Sequence, residues 1–227
     1  MSEAAFVHPV EAVSVVDRVT SEIRRAILSG RLPAGQEFSL RQVAGQLGVS
    51  FIPVREALRS LEAEGLLVTR RGRSATVAPL DEAELEGICQ LRRLIEPELA
   101  AQAHGSLSPE ELDRQDARIA HCEESVHSVD DRFDEYRAIY LDLLRPAATN
   151  WDLRVVQMLC RAVERYIRSC YDQVDSPVNS AKMDCGVQLR ELVVAFRSRD
   201  REGARVGVNA LVSWAEQLAG ECLKASS

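Results

Sequence analysis

Apolar residues recur every three to four positions over residues 13–28, VSVVDRVTSEIRRAIL, and place Val16, Val19, Ile23 and Ile27 on one face. That spacing predicts an amphipathic helix, which Gly30 ends. SGRLPAGQEF reads as a turn-rich link. Ser39 is a good N-cap for a second helix, LRQVAGQLG, with Val43, Ala44 and Leu47 inward and Gly48 as its stop. Ser50 can cap a third, with Pro53 in its first turn, where a missing N–H is harmless. Val54, Leu58 and Leu61 share its inner face, and Gly65 ends it.

The period then changes. LLVTRRGRSATVAPL alternates and is rich in Val and Thr, which predicts a hairpin with strands near 66–70 and 74–78. Its tip is Arg71-Gly72-Arg73. Three helices and a basic-tipped hairpin make a winged helix-turn-helix. Beyond Pro79 the pattern is helical throughout, with candidates at 82–103, 109–127, 131–145, 151–173, 180–198 and 201–223. Ser108-Pro109-Glu110-Glu111 is a capping box. Asn150 and Asp200 are further N-cap candidates, 172–180 is a loop, and Pro97 should kink the helix that contains it. The expected fold is mainly α: a winged domain over residues 1–79, with 1–12 flexible, and an all-α domain of six or seven helices over 80–227.

Charge divides the chain at the same place. Residues 1–80 carry ten basic and eight acidic groups, a balance of +2, against 18 and 27 in residues 81–227, a balance of −9. A basic face can therefore touch phosphates although the whole chain has net charge −7. A length of 227 residues, 46% of them hydrophobic and 28% charged, is ordinary for a two-domain soluble protein. No apolar run reaches the ~18 residues that span a membrane, and the first residues lack the pattern of a signal peptide, so the expected location is the cytoplasm. Six scattered cysteines without a CxxC pair are expected to be reduced, half-buried hydrophobes. No Gly-rich phosphate loop and no nucleophile with a base partner points to an enzyme.

The stretch SLRQVAGQLGVSFIPVREALRSLEAEGLLVTRRGRSATVAPL resembles the DNA-binding domain of GntR-family bacterial transcription regulators. LRRLIEPELAA, AATN and FRSRDREGAR resemble the helical effector-binding domain, called FCD, of that family's FadR subfamily. The resemblance implies a homodimer on a palindromic operator in double-stranded DNA, with a small metabolite in the helical domain controlling DNA affinity. The expected role is a repressor.

The recognition end of the third helix would be Ser50-Phe51-Ile52-Pro53-Val54-Arg55. The family usually has arginine where Phe51 stands and threonine where Ile52 stands. Phenylalanine cannot fork to guanine, but it can pack on a thymine methyl, or it can pack on the domain itself. The resemblance assigns base or phosphate contacts to Arg41 and Arg55. It places the Arg71, Gly72 and Arg73 tip in the minor groove. Ser50 can offer its hydroxyl to phosphate. Arg59 is a further candidate contact, or a solvated position on the helix face.

Many FCD domains hold a divalent metal with one Asp and three His. The flanking motifs put those four positions at Tyr136, Tyr140, Leu189 and Leu211, none a ligand, so the family's metal site is expected to be lost. His8, His104, His121 and His127 lie elsewhere. A cavity lined by these four residues would suit an organic acid or acyl-type ligand, with Arg92 pairing its carboxylate and Glu96 holding Arg92. Alternatively the four side chains fill the cavity as core and the regulator works without an effector. Trp214 and Tyr166 are expected to be core residues rather than to stack on a ligand.

Overall fold

The computed structural model describes residues 14–70, 74–124, 129–168 and 185–225. Several expectations therefore fall outside it: the flexible first 12 residues, the Arg71-Gly72-Arg73 tip, the 172–180 loop, His8, His127 and Cys170.

The N-terminal part contains α1 (Val15–Leu28), β1 (Glu37–Ser39), α2 (Leu40–Leu47), α3 (Phe51–Ala63), β2 (Leu67–Arg70) and β3 (Ser74–Val77). Val19, Ile23 and Ile27 of α1 pack with Val43, Val54, Leu58 and Leu61 in one core. Ser39 caps α2 in a reciprocal box with Gln42. Gly48 closes the helix at φ +64°, the left-handed conformation that a Cβ disfavours. Two local expectations fail. Leu47 is exposed, because the core ends at the last turn of α2 and Val49 packs in its place. Ser50 stands at the N-cap of α3 but makes no side-chain capping bond.

The link read as turns holds a third strand. Pro33 to Gln36 form a turn, with Gln36 N–H donating to the Pro33 carbonyl at 3.1 Å and Gly35 at φ +78°. A positive φ at the third residue of a type II turn favours glycine. The turn delivers β1 antiparallel to β3, with Phe38 opposite Ala75, and β2 pairs on the other side of β3. Phe38 is buried in the same core. A three-residue strand with one inward side chain is too short for alternation to reveal.

The remainder consists of helices: α4 (Glu82–Ala103), α5 (Pro109–Glu124), α6 (Val129–Leu144), α7 (Asn150–Arg168), α8 (Gly186–Arg197) and α9 (Arg201–Ala225). They enclose a second core that runs from Leu85 to Cys222. α4 runs unbroken across Pro97 and packs most closely on α9. The Ser108–Glu111 box and the Asp200 cap form. Asn150 is not the cap of α7. It lies inside the helix, and Thr149 and Asp152 cap each other, the Thr149 N–H donating at 2.7 Å and the Asp152 N–H at 3.2 Å. No helix among the described residues is long and apolar enough to cross a membrane. Cys89, Cys122, Cys160 and Cys222 are buried, Cys185 is partly so, and none of the five forms a disulfide.

The two parts meet along α7. Arg165 donates to the Gly65 carbonyl at 3.3 Å and to the Pro79 carbonyl at 3.2 Å. The Tyr166 hydroxyl accepts from Asp81 N–H at 3.3 Å, and lies 3.1 Å from the Asp81 carbonyl and 3.0 Å from Glu84 Oε2. Tyr166 is fully buried. Arg24 of α1 forks onto Glu64 just past α3.

The cap assignment makes a direct test. Thr149→Ala should cost about 1 kcal/mol of stability, while Asn150→Ala should stay within about 0.5 kcal/mol. Urea unfolding followed by far-ultraviolet circular dichroism measures both. The reverse order would restore Asn150 as the cap.

Candidate functional site

The first turn of α3 is a projecting edge. Phe51 is 52% exposed and Ile52 72% exposed, so neither is packed away in the domain. Pro53 is partly covered and Arg55 is exposed. Arg41, in the first turn of α2, is exposed too. The sequence of caps and buried residues explains the presentation. Val54, Ala57, Leu58 and Leu61 take the inner face of α3, which turns Phe51, Ile52 and Arg55 outward. No ion pair engages Arg41 or Arg55 among the described residues, whereas Arg59 pairs with Glu56 at 2.9 Å one turn away. The first-turn N–H groups of α3 add a partial positive charge to the same edge. Ser50, whose hydroxyl is not spent on capping, stands beside them.

In the helical part Arg92, Tyr136, Tyr140, Leu189 and Leu211 line one cavity. Four separate stretches of sequence, on α4, α6, α8 and α9, are thereby brought together. Phe133, Val163, Ile167 and Trp214 complete a largely apolar wall. The cavity volume is about 60 Å3, far below the ~300–1,000 Å3 of sites that enclose drug-sized ligands. Among the described residues, no group of three or more His, Cys, Asp and Glu is placed to hold a metal ion. His104 faces the Ala101 carbonyl at 2.7 Å and His121 lies on α5.

The polar end of the cavity is a buried triad. Arg92 forks onto Glu96 through Nε at 2.8 Å and Nη2 at 3.0 Å. Tyr140 donates its hydroxyl to Glu96 Oε2 at 2.6 Å. Burial first, and the Glu96 carboxylate beside it, hold the Tyr140 phenol well above its ordinary pKa, so it remains a neutral donor. Burial likewise pushes the Cys160 thiol in the wall up to about 12, which makes it a poor nucleophile. Glu96 engages the Nε and Nη2 edge of the guanidinium, and Arg92 is among the residues that line the cavity. Sequence reasoning missed one further charged pair, Arg137 and Glu164 on the cavity rim, joined at 2.5 Å. Nothing in the local patterns of α6 and α7 signals that the two would meet.

The chain was compared with known proteins. The family model described as bacterial regulatory proteins, gntR family, matches residues 15–77, and the FCD domain model matches residues 87–213. The HTH-type transcriptional regulator McbR of Escherichia coli is 24% identical over 197 residues, 85% of this chain and 87% of that protein. An uncharacterized HTH-type transcriptional regulator of Mycobacterium tuberculosis is 31% identical over 112 residues, but the match spans only 46% of its length. The gluconate operon transcriptional repressor of Bacillus subtilis is 37% identical over 79 residues, 35% of this chain and 32% of that repressor. Among solved structures, E. coli McbR/YncC superposes with TM-score 0.76 at 19% identity, covering 95% of this chain and 100% of that one. A GntR family member from Pseudomonas syringae pv. tomato gives 0.53 at 23% identity, covering 93% of this chain and 86% of that one. At these identities the superpositions establish the fold.

The triad predicts an asymmetric mutational response. Glu96→Ala should cost about 3–5 kcal/mol, because it strands a buried guanidinium. Tyr140→Phe, which leaves the ion pair intact, should cost about 1.5–3 kcal/mol. The double change Arg92→Met with Glu96→Leu should recover most of the Glu96→Ala loss. Urea midpoints of the three variants decide. Equal losses in single and double variants would show that the two side chains do not depend on each other.

Proposed function

The chain belongs to the GntR family of bacterial regulatory proteins and carries an FCD domain, and from that membership we propose that it is a DNA-binding repressor controlled by a small organic acid. The observation that carries the DNA reading is the first turn of α3, where Phe51, Ile52 and Arg55 project beside an unpaired Arg41. The helix N-terminus enters the major groove in helix-turn-helix proteins. Arg55 and Arg41 then supply base-edge or phosphate contacts. Phe51 and Ile52 favour thymine methyl groups over the guanine that an arginine would choose. Ser50 and the positive end of α3 hold a phosphate, and Arg59 serves the rim, once released from Glu56. Arg71, Gly72 and Arg73 are proposed to reach the minor groove.

The effector reading rests on Arg92, which lines a largely apolar cavity and whose Nε and Nη2, but not Nη1, are bonded to Glu96. A monocarboxylate with a short apolar body matches that arrangement. The volume of about 60 Å3 argues against an extended acyl chain. The same small volume favours a second reading, in which Tyr136, Tyr140, Leu189 and Leu211 act as core and DNA binding needs no effector. Coupling in the first reading runs through α7. One face of it borders the cavity with Cys160, Val163 and Ile167, and another holds the DNA-binding part through Arg165. A ligand that prefers one seating of α7 would shift the population of head positions.

Two heads in register require two copies, which would read an inverted repeat. Leu91 and Leu94 of α4 are exposed, Leu94 by 75%, and we place the contact between copies there. The repressor role is taken by analogy with the B. subtilis gluconate repressor.

Selection of binding sites by the purified chain from random duplex DNA should enrich an inverted repeat rich in A·T at the Phe51 positions. Fluorescence anisotropy on that site should then show binding weakened about tenfold or more in Arg55→Ala, with the oligomeric mass unchanged. Unchanged affinity would mean that α3 does not read the DNA. Leu94→Glu should give a monomer by light scattering and lose the preference for two half-sites. A series of short monocarboxylates should raise the melting temperature of the wild-type chain and not of Leu189→Trp, whose larger side chain fills the cavity. No response from either protein would leave the effector-free reading.

A further inference from the structure

A second cavity, of about 210 Å3, lies between the DNA-binding part and the helical part. Arg24 and Arg25 reach it from α1, Arg137 from α6, and Arg161 and Arg168 from α7. Asp134 is the one carboxylate on its described lining, and Arg137 already holds it. Four of the five guanidiniums have other engagements. Arg24 is forked onto Glu64, Arg25 pairs with Glu22 on its own helix at 3.1 Å, Arg137 is joined to Glu164, and Arg168 stacks on Phe133 and lies 3.8 Å from Glu164.

Arg161 differs. Its nearest carboxylate is Glu64 at 3.6 Å, beyond hydrogen-bond distance and already claimed by Arg24. Its Nε is buried and makes no hydrogen bond. Burial, and then the repulsion of Arg137 and Arg24, lower its pKa, so the site disfavours the very charge that arginine keeps at every physiological pH. An anion in the cavity would remove that cost.

From this geometry we propose that the inter-domain cavity binds a small phosphate-bearing anion of two or more negative charges, with Arg161 as its central ligand and Arg24 and Arg25 reaching it from α1. Guanidinium forks converging from three helices suit a tetrahedral oxyanion with several acceptor oxygens better than a single planar carboxylate. The apolar cavity beside Arg92 is chemically unlike it, so the two sites take different ligands. Because α1 belongs to the DNA-binding part and α6 and α7 to the bundle, the anion would cross-link the two. The site stands independently of the effector and DNA readings above.

The test uses the full chain and inorganic pyrophosphate, titrated calorimetrically and by thermal unfolding at constant ionic strength. Saturable binding with a raised melting temperature is expected, with none from sodium chloride at the same ionic strength. Arg161→Gln should weaken the affinity about tenfold or more, since a hydrogen bond to a charged group is worth about 1.5–3 kcal/mol. If that variant fails to fold, Arg25→Gln replaces it, for Arg25 is about half exposed and tied only to its own helix. An equal response to chloride overturns the proposal. So does an unchanged affinity in whichever of the two variants is used. Loss of binding in Arg55→Ala instead would place the anion on the DNA-contact face, with the same consequence.

Discussion

A guanidinium taken out of water has to be met by acceptors, and that requirement organises the helical half of this protein. The side chains of Arg92, Arg137, Arg165 and Arg168 are each no more than 8% exposed. Desolvating a charge costs several kcal/mol even after relaxation, so each is tolerable only where partners are fixed in advance. Arg92 has Glu96, and Arg137 and Arg168 share Glu164. Arg165 uses backbone carbonyls of the other domain, at Gly65 and Pro79. Two of the contacts cross between helices, Tyr140 to Glu96 and Arg137 to Glu164, so α6 cannot slide along α4 or α7 without breaking one of them.

The same requirement explains why the two domains are joined where they are. The carbonyls that Arg165 uses lie at the end of the third helix and just before the first helix of the bundle, both ends of the hairpin segment. α7 thus grips the DNA-binding part at the base of its hairpin, not at the first turn of α3, where Phe51, Ile52 and Arg55 stay exposed. An arrangement of this kind lets the head be repositioned as a body while its contact residues keep their geometry. Among the described residues, the polar contacts from α7 to the head are those of Arg165 with the Gly65 and Pro79 carbonyls and of Arg161 with Glu64, while Tyr166 fixes the start of α4 through Asp81 and Glu84.

Much of this was legible in the sequence, for physical reasons that differ by element. The helices of the N-terminal part follow from Val19, Ile23, Val54, Leu58 and Leu61 at helical spacing, bounded by Ser39, Gly48 and Gly65. The hairpin followed from alternation. β1 was not legible, because one inward residue, Phe38, cannot establish a period. Leu47 was misplaced because spacing shows which face of a helix is apolar but not where the partner core ends. The Asn150 cap was misread by one residue, since Thr149 and Asp152 satisfy each other and propensity alone does not separate Asn from Thr. The cavity residues Tyr136, Tyr140, Leu189 and Leu211 were reached only through the family resemblance, as no local pattern marks residues on three helices as neighbours. The inter-domain arginines left no trace at all. On α1 and α7 each reads as an ordinary exposed cation.

One residue gives these separate features a common physics. Arg137 borders both the apolar cavity and the inter-domain cavity, and its partner Glu164 also lines the first and answers to Arg168, which lines the second. A carboxylate ligand entering beside Arg92 adds negative charge near this pair, and an oxyanion beside Arg161 adds it on the far side. Glu164 can satisfy Arg137 or Arg168 more fully, but a single carboxylate cannot fully neutralise both. If both proposed ligands bind, occupancy of either cavity would change how strongly the other attracts an anion, and by linkage the effect would be mutual. Its sign follows from charge: each anion relieves the excess of guanidiniums that would have attracted the other, so the two ligands should oppose one another unless a shared shift of α7 outweighs the electrostatics.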